Sequence, residues 1–335
     1  MKIINLSKIE KNSFDELTVW LQKDLNSVNK IIEKNLEVNA PLITKLSNYI
    51  VSSGGKRIRP LLTLATAKFL GYSGKRHHYL AAVIEFIHTA TLLHDDVVDN
   101  SKKRRGKKTA NYIWGNKSSI LVGDFLLSKA FKILVEDGSL KCIDIISKVS
   151  EKISFGEVKQ LMAVGNLNLN ESDYLEIINF KTAELFSASC QIAGEISEIN
   201  DIKKNSLKNF GKYLGVAYQI VDDTLDYFSD EKLSGKEIGN DFKEHKMTLP
   251  LILVFNRSNK KEKKYLEFLI NKNTISNNDL AWVIDKMKRY NVLNDCLHKA
   301  RHFSIMAKDS LGLFGPNKEK DKIIDFVDFL IHRTS

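Results

Sequence analysis

Two short acidic clusters carry the side chains best suited to chemistry in this sequence. The first is DDVVD, Asp95–Asp99, and the second is DDTLD, Asp222–Asp226, and each ends an apolar, helix-like stretch. Residues four apart lie on one face of a helix, so the first and last aspartates of each cluster form a carboxylate pair. Clustered carboxylates select a hard, oxygen-loving cation, magnesium or calcium, rather than zinc. We therefore interpret the two clusters as a divalent-metal site built between two helices.

The simpler alternative is that acidic residues at helical spacing form a solvent-exposed face. For a single DDxxD motif, that interpretation would be the better one. Here the motif occurs twice in apolar surroundings, LLHDDVVD and YQIVDDTLDYF, where a merely solvated face has no reason to recur. Close carboxylates also repel one another, and burial without a metal would make that repulsion worse. The repetition therefore favours the functional interpretation.

Basic residues are the counterpart of the acidic clusters. Arginine is scarce, with 9 copies against 42 lysines, yet four of the nine lie in two short segments, GGKRIRP and KKRRGKK. Guanidinium is a planar, bidentate phosphate donor, so paired arginines indicate anion sites. Lys181 interrupts an apolar stretch, and spacing alone leaves a snorkelling lysine and an anion ligand equally open. Together the clusters suit a metal-bridged diphosphate with an apolar tail.

The elements that must position these side chains are predicted to be helices. None of the four prolines lies between residues 61 and 249, and apolar residues before the first cluster repeat at i, i+3, i+4 and i+7. Nothing resembles an interdomain linker, so we predict one all-α domain over residues 1–335. We also predict a polar turn with a helix cap at Asn166–Asp173 and a charged surface loop at Lys260–Lys264.

Charge and composition restrict the class of partner. The net charge is +10, but the lysines are spread over the whole length, and the acidic clusters would repel nucleic-acid phosphates. No run of consecutive apolar residues approaches the length of about 18 that a membrane-spanning helix needs. The start lacks the apolar core of a signal peptide, and the three cysteines are scattered singly. We expect a cytoplasmic protein that does not bind nucleic acid.

Six motifs occur in an order that resembles the all-trans polyprenyl diphosphate synthase family. They are GGKRIRP, LLHDDVVDNSKKRRGKKTAN, GDFLLSKAF, FKTAELF, YQIVDDTLDYF and GKEIGNDFKEHKMTLPL, between about residues 40 and 255. The resemblance implies a helical bundle around a deep central cavity, three magnesium ions and a homodimer. It also implies repeated condensation of isopentenyl diphosphate with an allylic diphosphate, for which farnesyl diphosphate is the expected primer.

The resemblance also implies roles for individual residues. The expected magnesium ligands are Asp95, Asp99 and Asp222, and the catalytic set adds Asp226 and Lys181. The expected isopentenyl diphosphate site is Lys56, Arg59, His88 and Arg105. The expected allylic diphosphate site is Arg104, Lys181, Thr182, Gln219, Lys236 and Lys246.

Product length depends on the space below the first cluster. Ala90 and Thr91 are small, whereas short-chain relatives often place aromatic residues there, and Phe131 or Leu134 could form the floor. This favours a long product, about octaprenyl, of the kind used for quinone side chains. A shorter-chain synthase and a non-catalytic subunit of a heteromeric synthase remain alternatives. Retention of both acidic motifs opposes the non-catalytic subunit, and the isopentenyl diphosphate residues oppose a terpene cyclase. A basic surface that contacts membranes during product release is a further expectation.

Overall fold

The computed structural model describes residues 14–52, 55–104, 106–228, 238–272 and 274–332. Residues 14–20 are helical. The helices that follow are α1 Gln22–Leu36, α2 Pro41–Ser52, α3 Ile58–Phe69, α4 Arg76–Val98, α5 Ala110–Trp114, α6 Asn116–Asp137, α7 Leu140–Ala163 and α8 Glu171–Ile178. After a π-helical segment, Asn179–Ala183, come α9 Glu184–Ile196, α10 Asp201–Phe228, α11 Asn240–Lys243, α12 Leu249–Arg257, α13 Lys260–Ile270, α14 Asn277–Arg289 and α15 Val292–Ser310. A 3₁₀ turn, Leu311–Leu313, leads to α16 Lys318–His332.

Strand structure in the described ranges is limited to one two-stranded hairpin. Its strands, β1 Lys103–Arg104 and β2 Lys107–Lys108, pair antiparallel directly after the first acidic cluster. The predicted all-α class is therefore confirmed. No helix in the part of the chain that the structure describes is long and apolar enough to cross a membrane.

Helices α4 and α10 form the centre of the packing, and they carry the two acidic clusters. Helix α4 packs against α6, α3 and α1, whereas α10 packs against α15 and α9. Buried side chains of α10 enter both large hydrophobic clusters, through Leu207 and Phe210 in one and Ile220 and Val221 in the other. Buried apolar surface contributes about 25 cal/mol per Å² to stability, so a shift of α10 that exposed these side chains would destabilise the fold.

Local sequence explains where several helices begin. Pro60 is the third residue of α3, where the missing backbone N–H would have no intrahelical partner. Asn170 caps α8 in a reciprocal capping box with Asp173, which confirms the predicted polar turn and cap. The predicted loop at Lys260–Lys264 is wrong, because those residues open α13. A capping box between Asn259 and Glu262 starts that helix despite the run of like charges.

Candidate active site

The first acidic cluster occupies the C-terminal end of α4. The Asp95 side chain is 13% exposed and the Asp99 side chain 20%. Asp96 is buried and points to a different partner, because Arg104 places Nε 2.9 Å and Nη2 2.8 Å from its Oδ1. Burial raises the pKa of Asp96, although the Arg104 charge opposes this shift. Asp95 and Asp99 are thus the partly accessible pair, and Arg104 lies beside the cluster, bound to Asp96.

The second cluster lies in the last turns of α10. Asp222 and Asp226 are partly buried, whereas Asp223 is buried. The Tyr174 hydroxyl donates a hydrogen bond of 2.7 Å to Asp223 Oδ2, and Gln219 Nε2 donates one of 2.6 Å to Asp223 Oδ1. As in the first cluster, the middle aspartate is held by protein groups and the outer two form the more accessible pair.

Helix α11 and the turn that follows it join the two clusters. The backbone N–H of Asp241 donates to Asp226 Oδ2 at 3.0 Å, and the backbone N–H of Lys246 donates to the Asp241 carbonyl at 2.8 Å. The Lys246 ammonium then lies 2.7 Å from Asp99 Oδ2 and 2.8 Å from Glu244 Oε2. Since one short segment contacts both Asp226 and Asp99, the two clusters lie on opposite sides of one site.

The π-helical segment makes a second connection. Lys181 Nζ lies 2.7 Å from Glu157 Oε2, 2.6 Å from Gln160 Oε1 and 3.6 Å from Asp95 Oδ2. The next residue, Thr182, donates a hydrogen bond of 2.8 Å to Gln219 Oε1 on α10. Lys181 therefore approaches the first cluster, while the adjacent Thr182 binds Gln219, which in turn binds Asp223 of the second cluster. A π-turn within a helix changes the directions of neighbouring side chains in this way.

Close packing of α7 against the π segment requires a glycine. A Cβ atom on Gly156 would lie 2.9 Å from both Lys181 N and Phe180 Cβ, shorter than real Cβ contacts allow. Glu157 follows this glycine and so reaches Lys181. Sequence reasoning missed Glu157, Gln160 and Tyr174. The i, i+3 spacing of Glu157 and Gln160 in GEVKQL would have been the available signal for two of them.

Burial shifts the pKa of several carboxyl groups in the site. It raises the pKa of Glu157 to about 7, against the opposing effect of the Lys181 ammonium, and it raises the pKa of Asp223 to about 7. The pKa of Asp241 is raised well above its ordinary value by burial and by the charges of Asp226 and Asp223. Such a concentration of carboxyl groups in poorly hydrated space is what a bound cation would relieve.

The donor set fits a hard cation whose coordination is completed by substrate. The groups that face the site are carboxylate oxygens and ammonium groups, as magnesium bound to a phosphate requires. Among the described residues, the one group of three His, Cys, Asp or Glu side chains whose ligand atoms all lie within 4.8 Å of one another is Asp24, His77 and His78. The two aspartate clusters do not converge that closely without a ligand. His77 lies in the first turn of α4, about 27 Å from Asp95 at 1.5 Å per residue. The aspartate clusters are therefore suited to bind metal together with diphosphate.

A basic region adjoins the first cluster along α4. Arg59 Nη1 lies 3.1 Å from His88 Nε2, and its guanidinium carbon stands 4.8 Å from the centre of the Phe186 ring. Lys56 Nζ lies 5.4 Å from the centre of the Phe329 ring. His88 precedes Asp95 by seven residues, or about two helical turns, so the two side chains share a face. Arg105 and Lys236 lie outside the described residues.

The residues expected to set product length lie where α4 packs on α6. Ala90 is 2% exposed and Leu134 is fully buried, while Phe131 packs partly buried against the same hydrophobic cluster. The Thr91 hydroxyl donates to the His88 carbonyl at 2.8 Å. The structure thus places Ala90, Phe131 and Leu134 in or against the apolar core, whereas Thr91 is partly buried beside it.

Comparison with known proteins identifies the family. A model of the polyprenyl synthetase family matches residues 40–287. The chain therefore belongs to the polyprenyl synthetase family, and it is a prenyltransferase of that family, as the resemblance implied.

Two curated relatives and one solved structure define the similarity further. The octaprenyl diphosphate synthase of Escherichia coli K12 is 46% identical over 249 residues, covering 74% of this chain and 75% of that protein. The octaprenyl diphosphate synthase of Haemophilus influenzae is 35% identical over 328 residues, covering 98% and 99%. A polyprenyl synthase from Caulobacter crescentus CB15, crystallised with calcium and isoprenyl diphosphate, superimposes with a TM-score of 0.93 at 38% identity, covering 96% of this chain and 98% of that one.

Proposed function

We propose that this chain condenses isopentenyl diphosphate repeatedly with an allylic diphosphate, starting from farnesyl diphosphate, to give an all-trans polyprenyl diphosphate of about octaprenyl length. The observation that carries the proposal is the joining of the two acidic clusters by cationic segments. Lys181 lies 3.6 Å from Asp95 and Lys246 lies 2.7 Å from Asp99, so two ammonium groups stand beside the accessible carboxylates. Carboxylates that can bind a metal ion and ammonium groups that can bind phosphate oxygens therefore lie side by side, as a metal-bound diphosphate requires.

Asp95, Asp99 and Asp222 are the residues that would hold magnesium, with Asp226 beside them. Three ions per site are proposed from the family resemblance. When bound, magnesium supplies Lewis-acid stabilisation of the diphosphate leaving group. The calcium and isoprenyl diphosphate in the Caulobacter protein support a divalent cation acting with this class of ligand.

The side chains of this protein supply the remaining stabilisation. Lys181 and Lys246, with Arg104, Thr182, Gln219 and Lys236, would hold the allylic diphosphate. Fixed positive charge is most effective where negative charge develops, so it favours cleavage of the allylic carbon–oxygen bond to a delocalised carbocation and free diphosphate.

The basic region along α4 would hold the second substrate. Arg59 and His88, with Lys56 and Arg105, would bind the diphosphate of isopentenyl diphosphate so that its double bond faces the carbocation. The double bond donates its electron pair to form the new carbon–carbon bond, and a proton then passes to the departed diphosphate. The product is five carbons longer and can re-enter as the next allylic substrate. No nucleophile from the protein is needed.

The proposed product length rests on Ala90 and on the octaprenyl diphosphate synthases of Escherichia coli and Haemophilus influenzae described above. A methyl side chain at position 90 leaves room for a growing tail to pass along α4, with Phe131 or Leu134 as the floor. The test is an elongation assay with purified protein, magnesium, labelled isopentenyl diphosphate and farnesyl diphosphate, in which products are sized by chromatography. We expect products near eight prenyl units from the wild type.

Ala90→Phe should give shorter products in the same assay, because the ring would block the path of the tail. Ala193→Phe on α9 is the control, since Ala193 is also fully buried and should show a similar packing penalty of about 1–3 kcal/mol without a change in product length. No elongation by the wild type would reject the enzymatic proposal and favour a non-catalytic subunit. Wild-type products that stop at farnesyl or geranylgeranyl length would favour the shorter-chain alternative. Unchanged lengths in Ala90→Phe would reject the proposed tunnel.

We also propose a cytoplasmic homodimer. Helix α7 carries a row of exposed apolar side chains at helical spacing, with Val158 55%, Leu161 62% and Met162 78% exposed. Burial of such a row against a second copy would remove an apolar surface that monomeric proteins seldom expose. Contact of the basic surface with membranes stays a prediction.

A further inference from the structure

A chain of four side chains connects α8, the π segment and α10 beneath the second acidic cluster. The Tyr174 hydroxyl donates to Asp223 Oδ2 at 2.7 Å, Gln219 Nε2 donates to Asp223 Oδ1 at 2.6 Å, and the Thr182 hydroxyl donates to Gln219 Oε1 at 2.8 Å. Tyr174 is 2% exposed, Thr182 5% and Asp223 6%, so water has little access to these three side chains, and Gln219 is partly buried. Tyr174 is the end of this chain, and it lies outside every substrate or metal role assigned above.

The network determines the orientation of each member. Each Asp223 oxygen accepts one hydrogen bond, and a buried carboxylate that loses such a donor is strongly destabilised. The Gln219 amide must turn its NH₂ toward Asp223, which leaves its oxygen to accept from Thr182. The orientation of the Gln219 amide therefore depends on Asp223, and Asp223 depends on Tyr174 for one of its two donors.

The same anchor determines which way α10 faces. Successive helix residues are separated by about 100° around the axis, so holding Asp223 against α8 fixes the direction in which Asp222 and Asp226 point. If the hydroxyl of Tyr174 were removed, Asp223 could satisfy its oxygen only by turning its carboxyl group or by shifting the helix. Either movement would disturb the carboxylates that we propose to bind metal and diphosphate.

We propose that Tyr174 is a positioning residue for the allylic diphosphate site, acting through Asp223 on Gln219, Thr182 and the outer aspartates. This inference rests on the proposed function, because it concerns the same diphosphate site. It predicts that the Tyr174 hydroxyl matters for binding magnesium diphosphate and the allylic substrate. It should matter little for isopentenyl diphosphate, since Arg59 on α3 and His88 on α4, two of its proposed ligands, are not part of the network.

The test compares Tyr174→Phe with Tyr227→Phe. Tyr227 is also 2% exposed and lies on α10 directly after Asp226, but its hydroxyl makes no hydrogen bond to Asp223 or Gln219. Titration calorimetry with magnesium chloride and inorganic diphosphate measures binding without turnover. We expect affinity to fall about tenfold in Tyr174→Phe and to change less than twofold in Tyr227→Phe. In steady-state assays, KM for farnesyl diphosphate should rise while KM for isopentenyl diphosphate stays within twofold.

A double-mutant cycle with Asp223→Asn tests the route of the effect. If Tyr174 acts through Asp223, adding Tyr174→Phe to Asp223→Asn should change the binding of magnesium diphosphate by less than twofold. Independent, multiplicative effects of the two changes would overturn the inference, as would a Tyr174→Phe protein that binds like the wild type. If Tyr174→Phe does not fold, Asp223→Asn alone decides, since wild-type binding in that variant would also overturn the inference.

The outcome also separates this inference from the proposed function. A wild-type protein that binds no magnesium diphosphate overturns both. A wild type that binds it and elongates, together with a Tyr174→Phe variant altered only in thermal stability, overturns the positioning role and leaves the proposed function intact.

Discussion

Arg59, which we propose to bind the diphosphate of isopentenyl diphosphate, is held in place by two contacts. Its guanidinium carbon lies 4.8 Å from the centre of the Phe186 ring, and its Nη1 lies 3.1 Å from His88 Nε2. Stacking and the histidine contact limit the conformations available to a long side chain, so less freedom is lost when phosphate binds. The planar fork can then donate two parallel hydrogen bonds.

Arg59→Lys should raise KM for isopentenyl diphosphate about tenfold, because lysine keeps the charge but loses the bidentate geometry and the stacking. KM for farnesyl diphosphate should stay within twofold. Steady-state kinetics with each substrate varied in turn gives both values. Arg289→Lys is the control, since the Arg289 side chain is 66% exposed and pairs with Asp285 on the surface of α14. An equal rise in both KM values would contradict a specific role for Arg59.

At the scale of elements, a charged run can begin a helix when its cap is strong enough. The Glu262 carboxylate accepts a hydrogen bond of 2.9 Å from the Asn259 backbone N–H. It also accepts hydrogen bonds of 2.6 Å from the Lys286 ammonium and from the Tyr290 hydroxyl. The Lys286 hydrogen bond is the largest of the causes that lower the pKa of Glu262 to about 2 from an ordinary 4.5. One carboxylate therefore starts α13 and fastens it to α14.

Glu262→Gln should lower the melting temperature at pH 7 by a few degrees, roughly the effect of losing about 1 kcal/mol in a domain of this size. Because the folded pKa lies below the unfolded one, the carboxylate stabilises the fold fully above pH 4.5 and loses that effect as the pH falls toward 2. The difference between variant and wild type should therefore shrink over that interval in thermal unfolding followed by circular dichroism. Glu267→Gln, at an exposed position of the same helix, serves as the control. A difference that stays constant down to pH 2 would exclude the ionised carboxylate as its source.

At the scale of the whole molecule, the apolar row on α7 is the surface that we propose to form the dimer interface. Phe155 begins the row but also makes an edge contact with Phe180, 5.5 Å between ring centres, next to Lys181. A partner subunit seated on α7 would thus lie close to the π segment and could stabilise it. Val158 and Met162 are the positions that test the interface without touching Phe180.

The double variant Val158→Lys, Met162→Lys should be monomeric, because two charges would have to be buried at the proposed interface. Light scattering after gel filtration should give 38.1 kDa for the variant and twice that mass for the wild type. Ile202→Lys, at a position on α10 that is 70% exposed, should remain dimeric. A wild type that runs at the mass of one chain would reject the homodimer.

The sequence by itself determined the helical class and the kinds of chemistry available. A long proline-free interval with helical periodicity predicts consecutive helices. Aspartates four residues apart then share one face of their helix, whatever surrounds them. The same local rules failed at Lys260–Lys264, where charge predicted a loop and the capping box formed a helix.

Only the tertiary structure decided which member of each cluster faces the site. Asp222 and Asp223 are neighbours of the same type, yet Asp223 is buried and bound by Tyr174 of another helix, whereas Asp222 is only partly buried. Lys246 reaches Asp99 across 147 residues of sequence. Periodicity fixes the relative directions of side chains on one helix, but the direction that becomes buried depends on which helices pack against it, and that is settled by contacts between distant segments.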